Sequence, residues 1–233
     1  PASPGPASSG PGPGHDDSRQ FVVRKGPDLF VGGKPFRFAG SNNYYPMYKS
    51  RAMVDAVLGK AADSGFQVMR LWGAADIGDP SREVTDSSSP GYTLRQPNEG
   101  VYLQYWDAEA GRPAYNDGEN GLQRMDYILA RAKAEGLRVV IPFVNNWNDF
   151  GGMDQYVQWG GKQYHDYFYT DPTIRGWYKD WITHYLNRTN TITGVTYKDD
   201  PTIMMWELGN EPRCLSAGAK PRIGPRRPSP PDF

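Results

Sequence analysis

Four apolar runs of strand length, at 36–40, 66–72, 137–144 and 203–208, punctuate the chain. Unbroken apolar runs of this size are the mark of strands covered on both faces, as in parallel sheets. Between them, apolar residues recur at helical spacing. Met53, Val54, Val57, Leu58 and Ala61 follow Ser50, a capping residue, and stop at Gly65. Leu122, Met125, Ile128, Leu129 and Ala132 form a second stripe, closed by Gly136. The third stripe, Ile174, Trp177, Tyr178, Trp181, Ile182 and Tyr185, starts behind Asp171-Pro172, a cap followed by proline at the first helical position, and reads as core. Strand and helix alternate, which predicts a parallel α/β sheet. Upstream, the apolar stretches 21–23 and 29–31, with Gly32-Gly33 and Pro35-Phe36 behind them, predict a short hairpin.

The chemistry gathers where these runs end. The first exits through Asn42, Asn43 and Tyr44, the second through Trp72, the third through Asn145, Asn146 and Trp147, and the fourth through Asn210-Glu211-Pro212. Pro212 cannot continue a ladder, so the chain turns out there. A carboxylate at the carboxyl end of a buried parallel strand is where barrel enzymes place catalysis, and burial of Glu211 keeps its acid protonated near neutral pH. Arg70 lies inside the second run, and a charge there needs a partner. It is either half of a structural ion pair or a donor that orients an active-site carboxylate. The long loop 73–118 holds Tyr102, Tyr105 and Trp106. Trp72, Trp106, Trp147 and Trp159 lie at strand exits or in loops, and for each of them stacking on a sugar and packing are equally open readings.

Composition narrows the function class. Lys+Arg and Asp+Glu stand at 26 each, so nothing points to nucleic acid or an anionic membrane. Pro142 and Glu207 interrupt the longest apolar runs, which leaves no membrane span. The single cysteine, Cys214, makes neither a disulfide framework nor a metal site. No metal cluster, phosphate loop or Ser/His/Asp set is present, no cofactor is called for, and His15, His165 and His184 have no evident partners. Aromatic residues reach 13%, with 7 Trp and 15 Tyr, which suits a protein that stacks on flat ligand faces. Residues 1–20 read as a disordered Pro/Gly/Ser linker to an upstream module, 21–214 as the fold, and 215–233 as a disordered tail. The tail is rich in Pro, Arg, Gly and Ala, the composition that GC-rich coding sequence gives when read out of frame.

The string 206–212 (WELGNEP), with Arg70-Leu71-Trp72-Gly73 and Asn145-Asn146-Trp147, resembles glycoside hydrolase family 5, and within it the endo-β-1,4-mannanases of plants, fungi and actinobacteria. The resemblance implies a (β/α)8 TIM barrel, present here as about the first four β/α units. It implies a retaining double displacement by two carboxylates about 5–5.5 Å apart. By motif position Glu211 becomes the acid/base, Asn210 the contact to the sugar 2-hydroxyl, and Arg70 a support for the nucleophile. Glu207 falls too early for the acid/base. The nucleophile belongs to a seventh strand and has no counterpart here. Trp72, Trp147, Asn145, Tyr44 and Trp106 become candidate substrate contacts, β-mannan the partner, and the protein secreted and extracellular. A cellulase of the same family and a non-catalytic carbohydrate-binding remnant are the alternatives.

Overall fold

The computed structural model describes residues 20–213. The linker and tail expected at either end fall outside them, apart from Gln20. The chain opens with an antiparallel meander of β1 (Val23–Lys25), β2 (Asp28–Val31) and β3 (Lys34–Pro35), one strand more than the predicted hairpin. Then follow β4 (Gly40–Asn42), α1 (Arg51–Asp63), β5 (Val68–Arg70), β6 (Gln104–Asp107), β7 (Arg112–Tyr115), α2 (Leu122–Ala134) and β8 (Arg138–Pro142). The last elements are α3 (Gly152–Trp159), α4 (Tyr167–Thr170), α5 (Pro172–Asn187) and β9 (Ile203–Glu207). Strands β4, β5, β8 and β9 pair in that order, all parallel, with α1, α2 and α5 as crossovers.

The helices form where their caps and stripes direct. Ser50 Oγ accepts the Met53 N–H, and Val54, Leu58 and Ala61 of α1 are buried while Met53 faces solvent. The Asp171 carboxylate accepts the N–H groups of Thr173 (2.9 Å) and Ile174 (3.1 Å) at the start of α5, which buries Ile174, Trp181 and Tyr185. One core lies between the sheet and α1, α2 and α5; a second joins Trp106, Val144, Tyr156, Trp159, Phe168 and Ile174 beneath α3.

Two expected buried strands differ. The first apolar run lies before its strand: β4 is Gly-Ser-Asn, exposed throughout, and Phe38 is also exposed. In β9, Trp206 packs on Phe143 and Tyr185, but Met205, on the alternate face, is 45% exposed. Among the described strands of the parallel sheet, only β5 and β8 have a neighbour on each edge, and β8 is buried at every position. No strand among the described residues pairs with the outer edges of β4 and β9. Two expected loops also carry structure. Segment 73–118 contains the β6–β7 ribbon, and the stretch after β8 contains α3, whose eight residues are all buried.

Buried charge holds the loops. Asp126 receives Arg188 (2.9 and 2.6 Å), the Tyr197 hydroxyl (2.6 Å) and the Thr191 hydroxyl (2.8 Å), tying α2 to the turn that leads into β9. Burial opposes its charge, but these donors outweigh it and hold the carboxyl below the usual range. Asp76, in the loop after β5, is the opposite case. Its Oδ1 accepts Gln104 Nε2 (2.7 Å), while its Oδ2 is buried with no partner among the described residues. Burial pushes this carboxyl up to about 8. Asp76 should therefore contribute stability that is complete below the ordinary aspartate value of about 4 and is lost as pH rises to about 8, because over that window only the folded state holds the proton. Denaturant melts across that range should show a decline with pH that Asp76→Asn removes; the same decline in the variant would refute the assignment.

Candidate active site

The strand ends bring Arg70, Glu207, Asn210 and Asn145 into one chain of contacts. Arg70 on β5 reaches across β8 to Glu207 on β9, its Nε 3.1 and 3.0 Å from the two carboxylate oxygens and its Nη2 2.6 Å from Oε2. The same Nη2 donates to Asn210 Oδ1 at 2.8 Å, and Nη1 reaches Asn42 Oδ1 at 3.4 Å. An arginine only donates, so the Asn210 carbonyl must face it and the Asn210 amide nitrogen must face away. That nitrogen donates to Asn145 Oδ1 (2.9 Å), and Asn145 in turn donates to the Asp149 carbonyl (2.9 Å). Arg70 is thus in an ion pair with Glu207, and its further contact orients the Asn210 amide rather than a second carboxylate.

The backbone explains how the motif is held. After Glu207 the β8–β9 ladder is taken up again by a parallel bridge between Asn145 and Asn210, with Asn210 N–H on Val144 O (2.8 Å) and Asn146 N–H on Asn210 O (3.0 Å). Gly209 is tight: a Cβ there would lie 3.2 Å from the Met153 methyl. Glu211 then takes a left-handed backbone, φ 49°. A non-glycine residue adopts that region seldom, and usually where its surroundings force it.

The Glu211 side chain is 56% exposed, which corrects the expectation of burial. It lies beyond the end of β9, which closes at Glu207. Its Oε2 accepts Trp147 Nε1 at 2.8 Å and lies 3.7 Å from Arg213 Nη2. The Arg213 guanidinium stacks over the Trp147 ring, 5.1 Å from its centroid.

The remaining candidates separate. Tyr44 is exposed beside Tyr45 (4.8 Å between ring centroids), over a cluster with Tyr48, Trp72 and Phe150. Trp72 is only 7% exposed, covered by Tyr44 and Phe150, so it supports the cluster and offers no open face. Trp106 is on β6, 9% exposed against Trp177, and joins the second core rather than the site. Trp159 is buried on α3 with its indole N–H on the Ile77 carbonyl (3.0 Å). Asn145 is buried and serves Asn210. His165 and His184 do have partners, Asp154 (2.7 Å) and Asp117 (3.0 Å). Sequence reasoning missed Tyr45, Phe150 and Arg213; adjacency to Tyr44 and to Asn-Glu-Pro was the one signal available for the first and last.

Among the described residues no group of three or more His, Cys, Asp or Glu could hold a metal ion, and no helix is long and apolar enough to cross a membrane. The chemistry on offer is that of an exposed carboxyl with one oxygen anchored and its neighbouring amide oriented.

Known proteins share this arrangement of elements. The solved endo-1,4-beta-mannanase from Rhizomucor miehei superposes with a TM-score of 0.72 at 39% identity, covering 83% of this chain and 49% of that one. Mannan endo-1,4-beta-mannosidase F of Aspergillus clavatus is 36% identical over 199 residues, 84% of this chain and 40% of the relative. Mannan endo-1,4-beta-mannosidase 5 of Solanum lycopersicum is 39% identical over 203 residues, 83% of this chain and 42% of the relative. The chain thus spans less than half the length of these two relatives, and its four parallel strands are part of a (β/α)8 barrel. A family profile described as GH family 5 beta-mannosidase-like matches residues 19–224, ten residues past the predicted end of the fold at Cys214 (224 − 214). Motif, sheet order and this match agree, and the chain belongs to glycoside hydrolase family 5, on its β-mannosidase-like side.

Proposed function

We propose that the chain supplies the acid/base side of an endo-acting glycosidase that cleaves β-1,4-mannosidic bonds in mannan, glucomannan or galactomannan with retention. One observation carries this reading: Glu211 stands at the carboxyl end of β9, beside an amide locked by Arg70, with Oε2 anchored and Oε1 without a hydrogen-bond partner among the described residues. In the first step Glu211, as the acid, gives its proton to the glycosidic oxygen while a second carboxylate attacks the anomeric carbon from the opposite face. In the second step Glu211, now ionised, takes a proton from the water that releases the sugar.

Asn210 suits a contact to the 2-hydroxyl, because its amide nitrogen spends one hydrogen on Asn145 and keeps one. The exposed Tyr44 and Tyr45 rings offer a platform for a further sugar. In this reading the second carboxylate comes from strands beyond the described residues, and a polymeric substrate places the protein outside the cell. The names of the relatives favour mannan over glucan. The test is a barrel completed with the carboxyl-terminal half of the Rhizomucor miehei mannanase, assayed for reducing ends on galactomannan, glucomannan and carboxymethyl cellulose. Turnover of the mannans ahead of the cellulose is expected. Preference for carboxymethyl cellulose would make it a cellulase, and a folded but inert barrel would make it a binding module.

A further inference from the structure

We infer that Trp147 is a positioning residue for Glu211 rather than a sugar platform, and that it and Arg213 confine the transferable proton to Oε1. The inference deepens, and rests on, the reading of Glu211 as acid/base. An indole N–H donates and cannot accept, as does a guanidinium. Both meet the same carboxylate oxygen, Trp147 Nε1 at 2.8 Å and Arg213 Nη2 at 3.7 Å. In the acid form the carbonyl oxygen is the better acceptor. The proton therefore sits on the other oxygen, Oε1, the one with no partner among the described residues and so the one open to a glycosidic oxygen.

The pair is built into the backbone. Asn146 N–H binds Asn210 O (3.0 Å) and Arg213 N–H binds Asn146 Oδ1 (3.2 Å), lacing the loop that bears Trp147 to the loop that bears Glu211. On its other side the Trp147 carbonyl is backed by Gly152, where a Cβ would come within 2.2 Å of it. Arg213 covers one face of the indole, which leaves that face unavailable to a sugar. The remaining charges around Glu211 are Arg70 with Glu207, joined to the motif through Asn210, and Asp149 with Arg95 in the Trp147 loop. Arg70 divides its donors among Glu207, Asn210 and Asn42, and among the described residues none of Arg70, Glu207, Asp149 and Arg95 contacts the Glu211 carboxylate.

The test uses the 233-residue chain and needs no turnover. By NMR, the Glu211 carboxyl carbon is assigned by its loss in Glu211→Gln and the Trp147 indole proton by its loss in Trp147→Phe. The two signals should titrate with one midpoint, and Glu211→Gln should flatten the indole response. The indole proton should remain protected from solvent exchange on both sides of the midpoint, since Oε2 accepts in either form. Trp147→Phe, which keeps an aromatic ring but removes the donor, should move the Glu211 midpoint above that of the unsubstituted chain. An indole signal indifferent to the Glu211 midpoint, or an unchanged midpoint in Trp147→Phe, would overturn the positioning role. Loss of exchange protection in the acid form would put the proton on Oε2 and overturn the rest. Should Trp147→Phe fail to fold, the indole titration and its loss in Glu211→Gln decide alone. A kinetic failure of Glu211 as acid/base would leave these titrations intact, so the two claims fail separately.

Discussion

Purified as 233 residues, the protein should release no reducing ends from galactomannan, glucomannan or carboxymethyl cellulose above the blank, while the completed barrel turns over the mannans. Retention needs a second carboxylate across the sugar from the acid. Glu207 has both oxygens on Arg70 and sits four positions before Glu211 on the same strand end, so it is on the wrong side and already engaged. Asp149 is held by Arg95 at 3.0 Å, and Asp154, on α3 rather than in a loop, is nearly buried against His165. General acid help alone gives about 10²–10⁴-fold, against the roughly 10⁶-fold or more that enzymes achieve. Turnover by the chain within about tenfold of the completed barrel, a barrier difference of about 1.4 kcal/mol, would refute this.

The sequence made the β/α alternation legible because its signals are local. Ser50 and Gly65 bracket α1, Asp171-Pro172 opens α5, and the stripes on α1, α2 and α5 face the sheet as their spacing demands. Strand burial was not legible, because it depends on what lies against β4 and β9, and no residue in those strands encodes its neighbour. Helix α3 was not read from the sequence, although Met153, Tyr156 and Val157, between Gly151 and Gly160, have helical spacing. In the site, Asn-Glu-Pro and Arg70 were readable as motif and as a charge out of place. The tryptophans were not, since Trp106 and Trp147 look alike in sequence and only the fold sends one to the core and the other to Glu211.

In the completed barrel, Glu211→Gln should lower turnover of substrates with poor leaving groups by about 10²–10⁴-fold, the usual worth of a positioned general acid. Glutamine keeps an oxygen for the Trp147 donor but has no proton of suitable acidity to give, so cleavage of an alkoxide leaving group stalls. An activated aryl leaving group departs without protonation, so its kcat/KM should fall far less, although loss of the base still slows release of the sugar. Glu207→Gln removes the anion that Arg70 binds in three contacts. Its cost should appear as lower stability and an even loss over all substrates, because Arg70 would no longer be held against Asn210.

These two variants give the most direct test of Glu211 as the proton donor. The measurement is log kcat/KM against leaving-group pKa for a series of aryl β-mannosides, taken for the completed barrel, for Glu211→Gln and for Glu207→Gln. The account predicts a much steeper dependence for Glu211→Gln and a line for Glu207→Gln that lies below the unsubstituted one but runs parallel to it. Equal slopes in the two variants, or a steeper slope in Glu207→Gln, would contradict it.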